Sequence, residues 1–369
     1  MKRQVVDFIR RLVGFPIVME RVRAIENMAE TRAAVLNPKQ SASEHTFTND
    51  LGERLARLEA IVTHERRIDL VLNGSMPLFM YMDDLAYRQI PDEYKCAVQR
   101  EAPGVFLRRR QPPRGSVFAG TPMGRSLDYL LESFDRVAVL DIGCQYGTSA
   151  IAFANHLRLA GRSEPVFAFD PGDAGSLAPH NIAMNAEMGA VEFFPKAVSN
   201  WSGMTLLYSE IGNTENNRLG NPIDTRGVTM SRPAPVTTVD DFMAERSLDL
   251  PTFLKIDTQG FDYEVVDGAR ALIERQPVVL HVEFTPHAMR ARLEPGDFLA
   301  LLCHNFVVLD DANVGLGPIP EEKIAEAVTR IDAYPSQHTD FICISRKLSG
   351  WQQLVSDIVE QGGKGPKSA

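Results

Sequence analysis

From about residue 135 onward, short apolar runs alternate with stretches of helical periodicity, and this alternation restricts the fold more than any other feature. Short apolar runs bounded by turn residues are typical of buried strands, and helices between them imply right-handed βαβ crossovers. The predicted strands cover residues 137–142, 166–170, 191–194, 253–257, 278–284, 306–310 and 340–345. The predicted helices cover residues 148–159, 179–188, 263–275, 297–305 and 321–330. We therefore predict an α/β fold with a mostly parallel sheet that helices cover on both faces.

The first third of the chain lacks this alternation and shows helical periodicity, which predicts a mainly helical accessory or docking region. Residues 1–25 contain six Lys or Arg and two acidic residues. An amphipathic first helix and a second short helix that begins at Pro16 are predicted within residues 1–30, and this basic segment either packs on the protein's own core or docks on an anionic membrane face or a partner protein. A heptad-like repeat over residues 51–62 leaves homo-oligomerisation open. The predicted divisions are an accessory region at 1–110, a catalytic-sized domain at 111–347, and a C-terminal helix with a flexible tail at 348–369.

Charge and cysteine content exclude several classes of protein. The chain has 39 Lys and Arg against 48 Asp and Glu, a net charge of −9, so we expect no nucleic-acid partner. Its four cysteines lack any CxxC pairing, which argues against a zinc knuckle or a disulfide framework, and we predict no metal site. The apolar stretch 70–82 is too short to span a membrane. We expect a cytoplasmic protein, with residues 1–30 as the part that could contact the inner membrane face.

The turn after the first predicted strand indicates a nucleoside-containing ligand. In open α/β sheets, ligands bind beyond the carboxyl ends of the strands. Gly143 and Gly147 flank a turn just before a helix, and the second strand ends at Asp170, where a carboxylate accepts hydrogen bonds from ribose hydroxyls. Gln145 replaces a glycine that dinucleotide sites need, and Asp141 at the start of the turn can receive an ammonium group. These residues favour S-adenosylmethionine over a dinucleotide, although Asp141 could equally cap the helix.

Candidate catalytic residues lie at the ends of two later strands. Transfer of a methyl group from S-adenosylmethionine to an acceptor atom that carries a proton requires removal of that proton, for which a histidine or a carboxylate is the usual agent. Asp257 ends the fourth predicted strand, and His281 and Glu283 share one face of the fifth. We predict Asp257 or His281 as the base and Glu283 as a residue that orients the acceptor. The alternatives are a buried, hydrogen-bonded His281 and a structural acid at Glu283. The polar segment 209–233 predicts a lid, a binding loop or a flexible loop.

From residue 139 to about residue 283 the chain resembles the FkbM-type methyltransferases. The motifs that carry the resemblance, in order, are Leu140-Asp-Ile-Gly143 with Gly147, Phe169-Asp170-Pro171, Asn181-Ile-Ala-Met-Asn185, Lys196-Ala-Val-Ser199 with Gly203, Val236-Thr-Thr-Val-Asp-Asp241, Leu254-Lys-Ile-Asp257 with Gly260, Gly268-Ala269, and Glu283. The resemblance implies a Rossmann-like class I methyltransferase sheet whose last strand is antiparallel. It also implies an acceptor hydroxyl on a sugar, a polysaccharide or a secondary metabolite.

The resemblance also implies roles for individual residues. Asp141, Gly143 and Gly147, with Gln145 and Tyr146 in the same turn, would hold the methionine end of S-adenosylmethionine. Asp170 would hold the ribose, and Ala197 and Val198 the adenine. Three positions depart from the family pattern, because Asp170, Gln259 and Asp262 stand where the family usually has glutamate.

These observations support one leading hypothesis and two alternatives. The leading hypothesis is an S-adenosylmethionine-dependent O-methyltransferase that acts on a small-molecule or glycan acceptor. One alternative is a non-catalytic nucleoside-binding scaffold that works through its helical N-terminal region. The other is an NAD-dependent oxidoreductase, which the missing GxGxxG turn disfavours.

Overall fold

A computed structural model describes residues 68–73, 76–99, 115–210, 213–220, 230–290 and 292–362 of the chain. The strands in these residues are β1 (Ile68–Asn73), β2 (Met76–Tyr81), β3 (Ala138–Ile142), β4 (Val166–Phe169), β5 (Val191–Phe194), β6 (Ala197–Val198), β7 (Gly203–Glu210), β8 (Asn213–Leu219), β9 (Met230–Thr237), β10 (Thr252–Ile256), β11 (Val278–Phe284), β12 (Phe306–Asp310) and β13 (Thr339–Ser345). The predicted helix over 1–30 and the heptad-like repeat over 51–62 lie outside the described residues.

The helices of the described residues are mostly short. They are α1 (Leu85–Gln89), α2 (Cys96–Gln99), α3 (Pro122–Ser133), α4 (Thr148–Leu159), α5 (Ala178–Met184), α6 (Val239–Glu245), α7 (Asp262–Asp267), α8 (Arg270–Arg275), α9 (Pro286–Met289), α10 (Pro295–Asn305), α11 (Ile324–Asp332) and α12 (Trp351–Gly362). Within the described part of the chain, we find no helix with the length and apolarity that a membrane span requires.

Seven strands form the central sheet, in the order β12-β13-β11-β10-β3-β4-β5. Neighbouring strands from β11 to β5 are parallel, whereas β13 is antiparallel to both β11 and β12. The predicted α/β fold, its mostly parallel sheet and its antiparallel last strand are confirmed. The chain runs outward from β3 to β5 and then returns to β10 on the other side of β3. This reversal lies between β3 and β10, where ligands bind in open α/β sheets.

The apolar side chains of the central strands alternate between two buried faces. Leu140 and Leu254 pack on one side, in a core that includes residues of α6, α7, α8, α10 and α11. Val139 and Phe253 pack on the other side with residues of α3, α4 and α12. Burial on both faces explains why these strands are continuous apolar runs in the sequence. Polar residues on these strands concentrate near their carboxyl ends.

A second sheet replaces the predicted polar loop. It contains four strands in the order β6-β9-β7-β8, so the described part of the segment 209–233 is largely strand, and the prediction of a loop there is wrong. Strand β8 is an edge strand with the sequence Asn-Thr-Glu-Asn-Asn-Arg-Leu. Strand prediction relies on β-branched and apolar residues, and an edge strand rich in asparagine lacks that signal. Leu207 and Ala234 bury the inward side of this sheet.

A single glycine divides the helix predicted over residues 263–275. Gly268 separates α7 from α8, and a Cβ atom at this position would lie 2.1 Å from the carbonyl oxygen of Ser199. The close approach of the two backbones therefore requires glycine there. This contact between Gly268 and Ser199 also places the start of the second sheet against the helices that follow β10.

Strands β1 and β2 form an antiparallel hairpin within the predicted accessory region, which the sequence did not indicate. Val71 and Leu78 of the hairpin belong to one buried cluster with Tyr146 and Ile151 of the catalytic-sized domain. The amide of Asn181 accepts from Phe79 N at 2.6 Å and donates to Phe79 O at 3.2 Å. The hairpin therefore packs directly beside the turn that follows β3.

Candidate functional site

A cleft lies at the carboxyl ends of β3, β4 and β10, where the strand order reverses. It encloses about 770 Å³ of space between protein atoms, including its open mouth. The residues that line the cleft are Ile142, Gly143, Gln145, Phe169, Asp170, Pro171, Lys196, Ala197, Val198, Leu207, Asn217, Leu219, Asp257, Thr258, Gln259 and Phe261. The second sheet therefore supplies one wall and the central sheet the other.

Two backbone amides hold the carboxylate of Asp170 in a fixed position. Gln145 N donates to Oδ2 at 2.8 Å, and Gly172 N donates to Oδ1 at 2.6 Å. Burial raises the pKa of Asp170 to about 6, although these two amides and the Arg232 guanidinium favour the charged form. Each carboxylate oxygen keeps a lone pair that is not used by these bonds. Asp170 is therefore a rigid acceptor on the wall of the cleft.

The turn after β3 is tightly packed against the end of β10. Gly143 has a φ of +85°, and a Cβ atom there would lie 1.8 Å from the carbonyl oxygen of Asp257. This contact with protein backbone requires glycine even before any ligand binds. Gly147, with a φ of +83°, is the N-cap residue of α4.

Asp141 and Tyr146 are buried beside the cleft rather than exposed on its wall. Asp141 accepts from Ser149 Oγ at 2.5 Å, and its Oδ1 atom lies 3.6 Å from Lys255 Nζ. Burial raises the pKa of Asp141 against the opposing effect of Lys255. The phenol of Tyr146 donates to the buried carboxylate of Asp84. The structure thus gives both residues protein partners, whereas Gly143, Gln145, Asp170, Ala197 and Val198 contribute directly to the cleft.

Asp257 is a carboxylate on the cleft wall with a side chain that is 39% exposed. Lys255 Nζ lies 3.3 Å from Asp257 Oδ2, and Gln259 Nε2 donates to Asp257 Oδ1 at 3.1 Å. Burial opposes the charge of Lys255, but the carboxylates of Asp257 and Asp141 raise the pKa of its ammonium above the ordinary value. Asp257 is therefore oriented from two sides while it faces the cleft.

The loop after Asp257 is organised by a buried acid, Asp262, to which the sequence analysis assigned no role. Asp262 Oδ1 accepts from Thr258 N and Thr258 Oγ1, both at 2.9 Å, and Asp262 Oδ2 accepts from Gly260 N at 3.0 Å. Burial and the nearby charge of Asp257 raise the pKa of Asp262 to about 6. Gln259 adopts a left-handed φ of 56° within this loop. The spacing of an aspartate two residues after a glycine was the available signal for this arrangement.

His281 and Glu283 lie on β11, next to β10, and neither belongs to the cleft wall. Lys255 pairs with His281 across the two parallel strands. Asp257 and Glu283 come two residues later on their strands and therefore lie next to each other at the strand ends. Burial, followed by the charges of Asp257, Asp262 and Asp340, raises the pKa of Glu283 to about 9. Glu283 therefore keeps its proton to a higher pH than an exposed glutamate does. The side chain of His281 is 5% exposed.

The second sheet contributes cleft residues whose role the sequence did not predict. Leu207 comes from β7, and Asn217 and Leu219 come from one side of β8. A Cβ atom at Gly172 would lie 2.3 Å from Asn217 Nδ2, so β8 packs closely on the loop that holds Asp170. The two-residue spacing of Asn217 and Leu219 was the only signal in the sequence, and it is weak without strand-forming neighbours.

Comparison with protein families confirms the resemblance. Residues 141–306 match the family described as methyltransferase FkbM domain. The match begins at the last residues of β3 and ends at the start of β12, so it includes the strand ends that form the cleft. This part of the chain, which is less than half of its length, is similar to FkbM methyltransferase domains. Among curated proteins, none matches the chain.

Several solved structures are weakly similar to the chain. An rRNA methylase from Streptococcus thermophilus is 13% identical, with 44% of this chain and 69% of that chain covered and a TM-score of 0.24. A proposed class I S-adenosylmethionine-dependent methyltransferase from Listeria monocytogenes is 11% identical, with coverage of 70% and 71% and a TM-score of 0.32. A Burkholderia thailandensis protein bound to S-adenosyl-homocysteine is 13% identical, with coverage of 64% and 78% and a TM-score of 0.27. The fold assignment rests on the strand order and the family match rather than on these likenesses.

Proposed function

We propose that the protein is an S-adenosylmethionine-dependent O-methyltransferase that methylates a hydroxyl of a sugar, a glycan precursor or a secondary metabolite. The observation that carries the proposal is the position of two carboxylates in one cleft. Asp170 is fixed at the end of β4, and the exposed Asp257 lies at the end of β10. Asp170 is placed to bind the ribose of a nucleoside, and Asp257 is placed to take a proton from the acceptor. The methyltransferase family match supports the cofactor class.

The residues of the cleft fit S-adenosylmethionine. The free lone pairs of Asp170 can accept hydrogen bonds from the two ribose hydroxyls. Ala197, Val198, Leu207 and Leu219 offer apolar surface for the adenine ring. Gly143 and Gln145 also line the cleft and would contact the methionine end. When bound, the cofactor supplies an electrophilic methyl group on a positively charged sulfur.

Of the two predicted bases, the structure favours Asp257. Its carboxylate lines the cleft and is held by Lys255 and Gln259, whereas the imidazole of His281 is buried outside the cleft wall. In the proposed reaction, the acceptor hydroxyl transfers its proton to Asp257 as the oxygen attacks the methyl carbon in line with the sulfur. Glu283, at the neighbouring strand end, orients the acceptor through a hydrogen bond.

The partners and location of the protein are also proposals. We propose a small-molecule or glycan acceptor and a cytoplasmic site of action. Docking of the basic segment 1–30 on a membrane face or a partner protein, and homo-oligomerisation, both concern residues outside the described part of the chain. Deletion of residues 1–30 followed by liposome sedimentation tests the membrane contact, which unchanged sedimentation would exclude.

Calorimetric titration with S-adenosyl-homocysteine tests the cofactor, with NADH as the comparison ligand. We expect micromolar binding of S-adenosyl-homocysteine and no binding of NADH. Asp170→Asn is the diagnostic variant, because a substitution at Gly143 would break the contact with Asp257 O and disturb folding. Absence of binding to the wild-type protein, or preferred binding of NADH, would contradict the proposal.

Methyl transfer from labelled S-adenosylmethionine to a panel of hydroxyl acceptors tests the reaction. We expect Asp257→Asn to lose at least about a hundredfold in kcat, as removal of a general base typically does, and to keep its affinity for S-adenosyl-homocysteine. A protein that binds the cofactor and methylates none of the acceptors would favour the nucleoside-binding scaffold instead.

A further inference from the structure

Three side chains with metal-ligating atoms converge on the side of the sheet beyond Asp257. His281 lies on β11, Asp311 directly follows β12, and Asp340 is the second residue of β13. One ligand atom from each lies within 4.8 Å of the other two. His281 Nε2 and Asp311 Oδ2 are 3.6 Å apart. We name these three residues the β11–β13 cluster.

The imidazole of His281 points to a missing ligand in this cluster. The residue is 96% buried, its relative exposure being 4%. Among the residues that the structure describes, none provides a hydrogen-bond partner for Nε2. A buried polar atom without a partner is unfavourable, and native structures avoid it unless a water, an ion or a ligand fills the position. The 3.6 Å separation from Asp311 Oδ2 is too long for a direct hydrogen bond.

The spacing of the cluster is suited to an ion at its centre. Two ligand atoms that each lie about 2.1 Å from one ion are about 3.0–3.4 Å apart at octahedral or tetrahedral angles. The distance of 3.6 Å from Nε2 to Oδ2 is close to this range. The ligand atoms of the cluster lie up to 4.8 Å apart, so binding of an ion requires rotation of the half-exposed side chains of Asp311 and Asp340 toward its centre. Their exposure also leaves a path for an ion to enter.

The backbone under the cluster is rigid. Strand β13 lies between β11 and β12 and pairs with both, so His281 and Asp340 come from paired strands and Asp311 from the residue that directly follows a third. Ligands on paired strands keep their mutual positions better than ligands on loops. An imidazole with two carboxylates is a donor set that suits Mn²⁺, Fe²⁺ or Zn²⁺.

From these observations we infer that His281, Asp311 and Asp340 bind a divalent first-row transition-metal ion. The sequence did not indicate this site because the three ligands are about 30 residues apart and none lies in a local metal-binding pattern. The protein ligands leave coordination positions open for water or a further oxygen ligand. His281 is then a metal ligand rather than the catalytic base.

A role for the ion in catalysis rests on the proposed function, whereas its binding does not. Glu283 follows His281 by two residues on the same face of β11 and lies opposite Asp340 in the strand register. The cluster is therefore on the side of Asp257 that is away from Asp170. An oxygen of the acceptor that coordinates the ion would be positioned there, and the ion would stabilise negative charge on it.

Binding of Mn²⁺ to the full-length protein tests the site directly. The protein is treated with EDTA, dialysed and titrated with Mn²⁺, and free Mn²⁺ is followed by electron paramagnetic resonance. We expect micromolar binding of one ion per chain that depends on the cluster. His281→Ala and Asp311→Asn should each weaken this binding at least tenfold. His304→Ala and Asp297→Asn, which change the same residue types on the exposed side of α10, should leave it unchanged.

Circular dichroism and thermal melting establish that each variant is folded. If His281→Ala unfolds, the half-exposed Asp340→Asn replaces it in the comparison. Wild-type protein that binds no Mn²⁺, or folded cluster variants that bind it as tightly as the wild type, would overturn the proposal. Titration with S-adenosyl-homocysteine in EDTA is run separately. Loss of cofactor binding with retained, His281-dependent Mn²⁺ binding would refute the proposed function and leave the metal site standing.

Discussion

Cofactor affinity should depend on pH through a single buried carboxylate, Asp170. Its pKa is raised to about 6 by burial, and only the charged form accepts hydrogen bonds from ribose hydroxyls with both oxygens. At pH 5 about one-tenth of the side chain is ionised, so the affinity for S-adenosyl-homocysteine should fall about tenfold between pH 7.5 and pH 5. Above pH 7 the affinity should be independent of this group.

The variant Asp170→Asn sets the size of the carboxylate's contribution. Hydrogen bonds to a charged group contribute about 1.5–3 kcal/mol each, and asparagine keeps one oxygen acceptor. The amide nitrogen of asparagine would also face one of the backbone donors, Gln145 N or Gly172 N. We expect a loss of about 2–4 kcal/mol of binding free energy, or about 30- to 900-fold in Kd.

Calorimetric titrations of both proteins at pH 5, 6 and 7.5 provide the test, with the exposed Asp135→Asn as the control. The wild type should show the pH dependence and Asp170→Asn should lack it. Asp262 also has a pKa raised to about 6, so the variant is needed to separate the two carboxylates. A pH profile that Asp170→Asn retains would refute the assignment of this dependence to Asp170.

The same shift has an opposite consequence for folding of the cofactor-free protein. The pKa of Asp170 is higher in the folded chain than the ordinary value of 3.8, so the folded state binds the proton more tightly. Protonated Asp170 thus stabilises the folded state, and this stabilisation is complete below pH 3.8 and is lost as the pH rises through 6. The folding free energy that Asp170 contributes below pH 3.8 exceeds its contribution well above pH 6 by about 3 kcal/mol. Part of the folding free energy is thus given up to keep a charged acceptor in a buried position.

Three further substitutions test contacts around the cleft. Gly143→Ala should lower the free energy of unfolding, measured by urea denaturation, by about 2–5 kcal/mol, because it combines a positive φ with a clash against Asp257 O. The control is Gly120→Ala, where φ is similar but no atom lies within 4 Å of the new Cβ, and it should lower the free energy of unfolding by about 1 kcal/mol. Gln259→Ala should reduce kcat about tenfold with little change in cofactor affinity, since it frees the Asp257 carboxylate, and an unchanged kcat would exclude a positioning role. Tyr146→Phe removes a hydrogen bond to a buried aspartate and should cost about 1.5–3 kcal/mol, measured by thermal melting.

The central sheet could be predicted from the sequence because its strands are buried on both faces. The run 306–310 coincides with β12 and the periodic stretch 148–159 with α4, since packing and local pattern agree there. The observed ends of helices differ from the predicted ends where a capping residue or a turn sets the boundary. Helix α10, for example, begins at Pro295 rather than at the predicted Asp297. The second sheet could not be predicted in this way, because its edge strand β8 is polar and is stabilised by pairing with a distant part of the chain.

The candidate site also has a part that the sequence predicts and a part that it does not. Gly143, Asp170 and Asp257 follow parallel strands, so their proximity follows from topology once the strands are identified. The partners of these residues do not follow from it. Asn217 reaches the cleft from the second sheet, and Asp262 organises a loop by accepting three hydrogen bonds. Such contacts depend on side-chain geometry, which residue type and spacing leave undetermined.

The order of the strands gives the site a direction. Adjacent strands are ~4.8 Å apart, so the end of β4, which carries Asp170, is about 10 Å from the end of β10, which carries Asp257. The end of β11, which carries Glu283, is one strand further on. A ligand with its ribose at Asp170 and its methionine end along the turn at Gly143 would therefore present its methyl group near Asp257. The acceptor must then approach from the side of β11, because in-line transfer requires the attacking oxygen opposite the sulfur. That side contains Glu283 and the β11–β13 cluster, whose polar groups can orient a molecule rich in hydroxyls.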